Sequence, residues 1–106
     1  MSETFRRFEI LLPLQFNDGT PVPDTMIVDI LLELENRFGV VSSETQIIRG
    51  LWQHEDQVFA DDSMRVVVDV ADMPENREFF RQLKERLKVR FRQVDIWMTT
   101  HLIDVV

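Results

Sequence analysis

A chain of 106 residues with 44% apolar side chains, eight Phe and two Trp can build one hydrophobic core and little of a second, so a single domain over residues 1–106 is expected. The absence of cysteine removes disulfides, thiolate nucleophiles and sulfur-ligated metals together, and a net charge of −7 disfavours general nucleic-acid binding, which needs a basic footprint. No apolar run approaches the roughly 20 residues of a membrane span, and Met1-Ser2-Glu3-Thr4 lacks the basic start of a signal peptide, so a cytoplasmic protein without membrane association is expected.

Phe8, Ile10, Leu12, Leu14 and Phe16 alternate with Glu9, Leu11, Pro13 and Gln15, the period-two pattern of a strand with one strongly apolar face. Pro13 lacks the N–H that a central ladder requires, which predicts a bulge or an end near Leu12. Asn17-Asp18-Gly19 makes a turn, Pro21 and Pro23 keep the connection extended, and Asp24 is placed to accept the free N–H groups of a helix beginning at Thr25. Ile27, Ile30, Leu31, Leu34 and Phe38 fall on one stripe of that helix, and Gly39 supplies a left-handed stop.

Thr45 to Gln53 reads as a second strand and precedes the polar segment His54-Glu55-Asp56-Gln57. Met64, Val66, Val68 and Val70 then alternate with Arg65, Val67 and Asp69, giving a third strand that completes a hairpin. Asp72 and Glu75 have the spacing of a capping box and Pro74 suits a first turn, so a helix is predicted from Met73, with Phe79, Phe80, Leu83 and Leu87 as its apolar stripe. From Phe91 the period of two returns, Val94, Ile96 and Met98 against Asp95, Trp97 and Thr99, as a fourth strand with an apolar tail of Leu102, Ile103, Val105 and Val106.

Glu33-Leu34-Glu35-Asn36-Arg37-Phe38 returns 49 positions later as Gln82-Leu83-Lys84-Glu85-Arg86-Leu87, each time before a strand-like run. Two strand-helix-strand halves follow, and with right-handed crossovers they predict an α+β sandwich. Its antiparallel four-stranded sheet has the order 4-1-3-2, with both helices on one face. This order resembles the ferredoxin-like βαββαβ fold, which by itself implies no activity. Gly50-Leu51-Trp52, Asn76-Arg77-Glu78-Phe79-Phe80 and Arg90-Phe91-Arg92-Gln93-Val94-Asp95-Ile96-Trp97 are also similar to a group of short bacterial proteins of that fold with no assigned activity.

Under the repeat, Ile47 matches Ile96 and Ile48 matches Trp97. If Ile47 and Ile96 face the helices, Ile48, Gly50, Trp52 and His54 share the open face with Trp97, Thr99 and His101, joined by Glu9, Leu11, Arg65, Val67 and Asp69 from the central strands. Exposed aromatic surface of that kind marks a partner or a ligand. His54, His101, Glu9 and Asp69 invite an acid-base or metal reading, but no metal-binding spacing is present, and the two imidazoles should sit on opposite sheet edges. His54-Glu55-Asp56 with Asp61-Asp62 lacks the glycine and ligand spacing of a calcium loop and fits a solvated hairpin tip. Ser42, Ser43 and Ser63 sit in no nucleophile elbow, and the three glycines form no phosphate loop.

Charge is segregated along the chain. Residues 77 to 92 hold seven cations against Glu78 and Glu85, a local +5 that leaves −12 for the rest. Arg77, Arg81, Lys84 and Lys88 form one stripe that could dock an anionic partner, or could be neutralised by Asp24, Asp29, Glu33 and Glu35 on the first helix. An RNA-binding sheet is disfavoured because Arg65 to Val70 offers no stacking aromatics. Two functions fit. A non-enzymatic interaction or regulatory module would oligomerise, a dimer being favoured, through the open face, the tail or an edge strand. Alternatively, a small enzyme or ligand-binding protein of the dimeric α+β barrel type would line a cavity with Trp52, Trp97, His54 and His101, a bound organic molecule supplying the reactivity. The first is favoured, no resident cofactor or metal is implied, and a small-molecule ligand remains compatible.

Overall fold

Phe8, Ile10 and Leu12 leave one face of the first strand almost without solvent contact, and both helices pack against that face. The computed structural model describes residues 4–106; the expectation about a leader at Met1 to Glu3 falls outside the described residues. The elements are β1 (Phe5–Pro13), α1 (Asp24–Phe38), β2 (Ser42–Ser43), β3 (Ile48–His54), β4 (Gln57–Ala71), α2 (Pro74–Arg90) and β5 (Met98–Ile103). The sheet is antiparallel in the order β2-β4-β1-β5, with β3 paired to β4. Ser63 faces Pro13 on one side and Ile48 on the other, so β3 continues along the edge that β2 occupies. Taking β2 and β3 as one interrupted strand gives the expected 4-1-3-2 order, and the fold is ferredoxin-like.

The core takes Phe8, Ile10, Leu12, Val66, Val68 and Val70 from the sheet, Ile27, Ile30 and Leu34 from α1, and Phe80, Leu83 and Leu87 from α2. Its centre is aromatic: Phe80 stacks on Phe8 with centroids 3.9 Å apart and on Phe38 at 5.4 Å. Cores of this density respond to loss of single methylene groups. Gly39 closes α1 at φ 85°, its N–H donating to the Glu35 carbonyl, as the left-handed stop requires.

Four local expectations are corrected. The second strand is not continuous over Thr45 to Gln53; it breaks between Ser43 and Ile48. Ile47 is therefore 62% exposed while its repeat partner Ile96 is 1% exposed. The fourth strand begins only at Met98, because α2 runs on to Arg90 and Arg92 turns the chain at φ 55°. Neither helix has a side-chain cap: α1 starts at Asp24 itself, and Asp72, expected in a capping box, instead accepts from Arg6 at 2.9 Å.

β1 ends at Pro13, one residue past Leu12 and short of the alternation that continues to Phe16, so the proline marks the early end expected of it, without a bulge. Leu11 N–H donates to the Trp97 carbonyl, so by alternation position 13 also turns its backbone toward the β5 side, beyond the end of that strand. The missing N–H leaves no ladder bond unmade there.

Candidate functional site

Cross-strand neighbours share a face, so the register assigns every open-face side chain. One row across the sheet is Asp69, Arg7 and His101; the next is Val67, Glu9 and Thr99; then come Arg65 and Leu11 with Trp97 beyond the end of β5. Along β3 and β4 the same face continues with Ile48, Gly50 beside Asp61, Trp52 beside Phe59, and His54 beside Gln57. All the open-face candidates read from the sequence thus lie on one side of the sheet. They form two groups at its two ends, Trp52 and His54 on one and Trp97, Thr99 and His101 on the other, so a single subunit does not bring both tryptophans and both histidines to one cavity.

The central row is organised by a bidentate ion pair. Arg7 donates through Nε to Asp69 Oδ1 at 2.8 Å and through Nη2 to Oδ2 at 3.0 Å. That hydrogen bonding holds the Asp69 carboxyl below the usual carboxylate range, partial burial opposes it, and the electrostatic fields of Arg7 and His101 reinforce it. Arg65 reaches Glu44 at 3.0 Å. Both pairs occupy carboxylates that a general base would need free.

The other group lies on an arm. Beyond Ser63 the sheet narrows to the two-stranded ribbon of β3 and the first half of β4, six cross-strand pairs closed by Glu55 and Asp56. Both turn residues have positive φ, 49° and 63°, the type I′ geometry that suits the right-handed twist of a ribbon. Leu51 is 72% exposed, Trp52 46%, Val58 65% and Phe59 36%. Trp52 stacks on Phe59 at 4.5 Å, and its indole N–H donates to Asp61. The sequence reading found Trp52 but missed Phe59, Leu51 and Val58 as parts of this surface. The available signal was a second apolar pair, Val58-Phe59, one residue after a two-residue acidic turn.

The basic stripe is placed differently from the expectation that α1 would neutralise it. The seam between the helices uses Arg86, which donates to Glu33 at 2.8 Å and holds the Glu33 carboxyl below its ordinary range, and Arg37, 4.3 Å from the Phe79 ring centroid. Arg77, Arg81, Lys84 and Lys88 lie on another flank and pair with Asp72, Glu78, Asp95 and Glu85, all outside α1. Between this flank and β5 runs a groove of about 220 Å³. Phe80 and Met98 contribute its apolar lining, and Arg77, Arg81, Lys84 and Thr100 its polar part. Exposed pairs of this kind contribute little to stability, about 0–1 kcal/mol each, so they are readily exchanged for another anionic partner.

No protein-family model matches the chain, and no curated protein does. Among solved structures, it is similar to a phage SAM lyase in complex with S-methyl-5'-thioadenosine, with TM-score 0.70 and 16% identity over 100% of this chain and 89% of that one. The apo state of a phage SAM lyase gives TM-score 0.66 at 16% identity, over 100% and 90% of the two chains. The divalent ion tolerance protein CutA1 from Ehrlichia chaffeensis gives 0.60 at 10% identity, over 100% and 87%. At these identities the likeness is one of fold, a fold compatible with a small enzyme or a ligand binder. Among the described residues, no helix is long and apolar enough to cross a membrane.

Proposed function

We propose that this protein is a self-assembling interaction module whose arm is its principal contact surface. The observation that carries this is the exposure of Leu51, Trp52, Val58 and Phe59 on a ribbon that no third strand covers among the described residues. An isolated two-stranded hairpin is at best marginally stable in water, and clustered apolar side chains on a free surface mark a partner. A second copy of the chain would shield part of this apolar surface and complete the hydrogen bonding of one edge of the ribbon.

Molar mass in solution tests this, by light scattering across a range of protein concentrations. A multiple of the 12.6 kDa chain mass is expected, falling toward one chain in Trp52→Ala. A wild-type protein that stays at one chain mass at the highest concentration would exclude the module.

A ligand-binding function is the second reading, favoured by one observation: the groove between α2 and β5 sets three cations over an apolar lining. A similar fold carries bound S-methyl-5'-thioadenosine in a phage SAM lyase, so adenosyl compounds belong in any ligand panel. Thermal stabilisation by such a compound, lost in Arg81→Ala, would support this function over a purely structural one.

A further inference from the structure

We infer that the outer edge of β3 in one copy pairs antiparallel with the outer edge of β5 in the next, with Leu51 opposite Thr100, so that the chain assembles head to tail. This rests on the self-assembly proposed above and specifies which surface receives the arm.

Both edges are unpaired among the described residues, since β5 ends the sheet at one side and β3 extends it at the other. On β5, the Leu11 to Trp97 bond fixes the alternation, turning the N–H and C=O of Met98, Thr100 and Leu102 outward. On β3, the two-residue turn makes His54 and Gln57 a hydrogen-bonded pair, which turns those of Arg49, Leu51 and Gln53 outward. Each edge therefore offers three residues in the same alternating pattern. β3 runs parallel to β1, and β5 antiparallel to it, so two copies in the same orientation place these edges antiparallel.

Side-chain parity agrees with this pairing. The outward-bonding residues on both edges point to the helix side of the sheet, so joining them keeps every helix on one side and makes the open faces continuous. Leu51 of one copy would then lie against the groove beside Met98 and Thr100 of the next, and Trp52 would face Thr99, flanked by Trp97 and His101. The aromatic and imidazole groups that one subunit holds apart would meet between two.

Charge is complementary as well. The arm, residues 48 to 63, carries Glu55, Asp56, Asp61 and Asp62 against Arg49, with His54 counted neutral, a net −3; Asp62 pairs with Arg49 at 2.8 Å and Glu55 lies 3.7 Å from the His54 imidazole. The receiving flank carries Arg77, Arg81, Lys84 and Lys88, each in a surface pair, with Asp72, Glu78, Asp95 and Glu85 in turn, so the acids of the arm would exchange with those partners and add little beyond register. A single directional contact of this type propagates to a ring or a chain, in contrast to a contact of one patch with itself.

The chain has no cysteine, so directed cross-linking reads the register. Gly50 of one copy would face His101 of the next, and a Cβ added at Gly50 meets nothing within 4 Å. Under mild oxidation, mixing Gly50→Cys with His101→Cys should give a disulfide-linked pair containing one chain of each kind. Each variant alone should give little, and the double variant should give covalent species of more than two chains. Gly50→Cys homodimers exceeding the mixed product would overturn the pairing in favour of arm-to-arm contact. No cross-link despite a wild-type mass above one chain would overturn it while leaving self-assembly intact. A wild-type protein of one chain mass throughout would remove both.

Discussion

The indole of Trp52 lies over the ring of Phe59, centroids 4.5 Å apart and planes 20° apart, on a ribbon that neither helix reaches. Stacked cross-strand aromatics stabilise a hairpin by up to about 1 kcal/mol, too little to explain two exposed large rings unless another surface covers them. Trp52 should therefore report on assembly. In Trp97→Phe, where Trp52 is the sole indole, emission should shift to the blue as protein concentration rises, because association withdraws the ring from water. Emission independent of concentration would place Trp52 outside any interface.

Core substitutions should separate from those on the arm. Phe80 is 1% exposed and touches rings from both β1 and α1. Phe80→Ala is expected to cost about 3–5 kcal/mol by lost transfer energy and a residual cavity. Urea denaturation of a monomeric background such as Trp52→Ala checks this without interference from association, and a loss under about 1 kcal/mol would mean the three-ring stack is not the core's centre.

The Arg7–Asp69 pair predicts acid sensitivity with a definite sign. The folded Asp69 carboxyl titrates below its unfolded value, so its contribution to stability is present above the unfolded carboxylate pKa of about 3.9 and is lost as pH falls through the folded value. Arg7→Met should return the Asp69 titration, followed by carbon NMR, toward the ordinary range. The variant's stability curve should then lack part of the wild type's fall in acid. An unchanged Asp69 titration would show that Arg7 does not hold it.

The tip of the arm can be improved. Glu55 and Asp56 sit at φ 49° and 63°, where glycine carries no steric penalty at the second turn position. Asp56→Gly should raise hairpin stability by roughly 0.5–1 kcal/mol, seen as slower amide exchange at Gln53 and Val58. Faster exchange there would mean the turn adopts another form in solution.

Leu34 and Leu83, 49 residues apart, both have no exposed surface. They were legible because an apolar stripe at helical spacing has one way to face a sheet. The same repeat misplaced Ile47, since the backbone break before Ile48 cannot be seen in a periodicity that continues across it. Val58, Phe59 and Ala60 escaped for a different reason: the alternation test finds one buried and one wet face, and the arm has neither within its own subunit. The ion partners of the α2 stripe were illegible too, because sequence spacing states which cations are neighbours on a helix but not which flank turns toward α1.

β4 is a single strand of 15 residues that serves the core through Val66, Val68 and Val70 and the arm through Phe59 and Asp61. Because no loop separates these two roles, the arm's direction is inherited from the sheet's twist instead of being chosen by a hinge. Its reach is nevertheless free to vary. Deleting Leu51-Trp52 together with Phe59-Ala60 would remove two opposed pairs, keep every remaining side chain on its present face, and leave the contacts of Ile10 and Phe80 untouched. Lengthening or trimming the ribbon in such steps could alter the geometry of assembly across related chains while the folding unit beneath it stays the same.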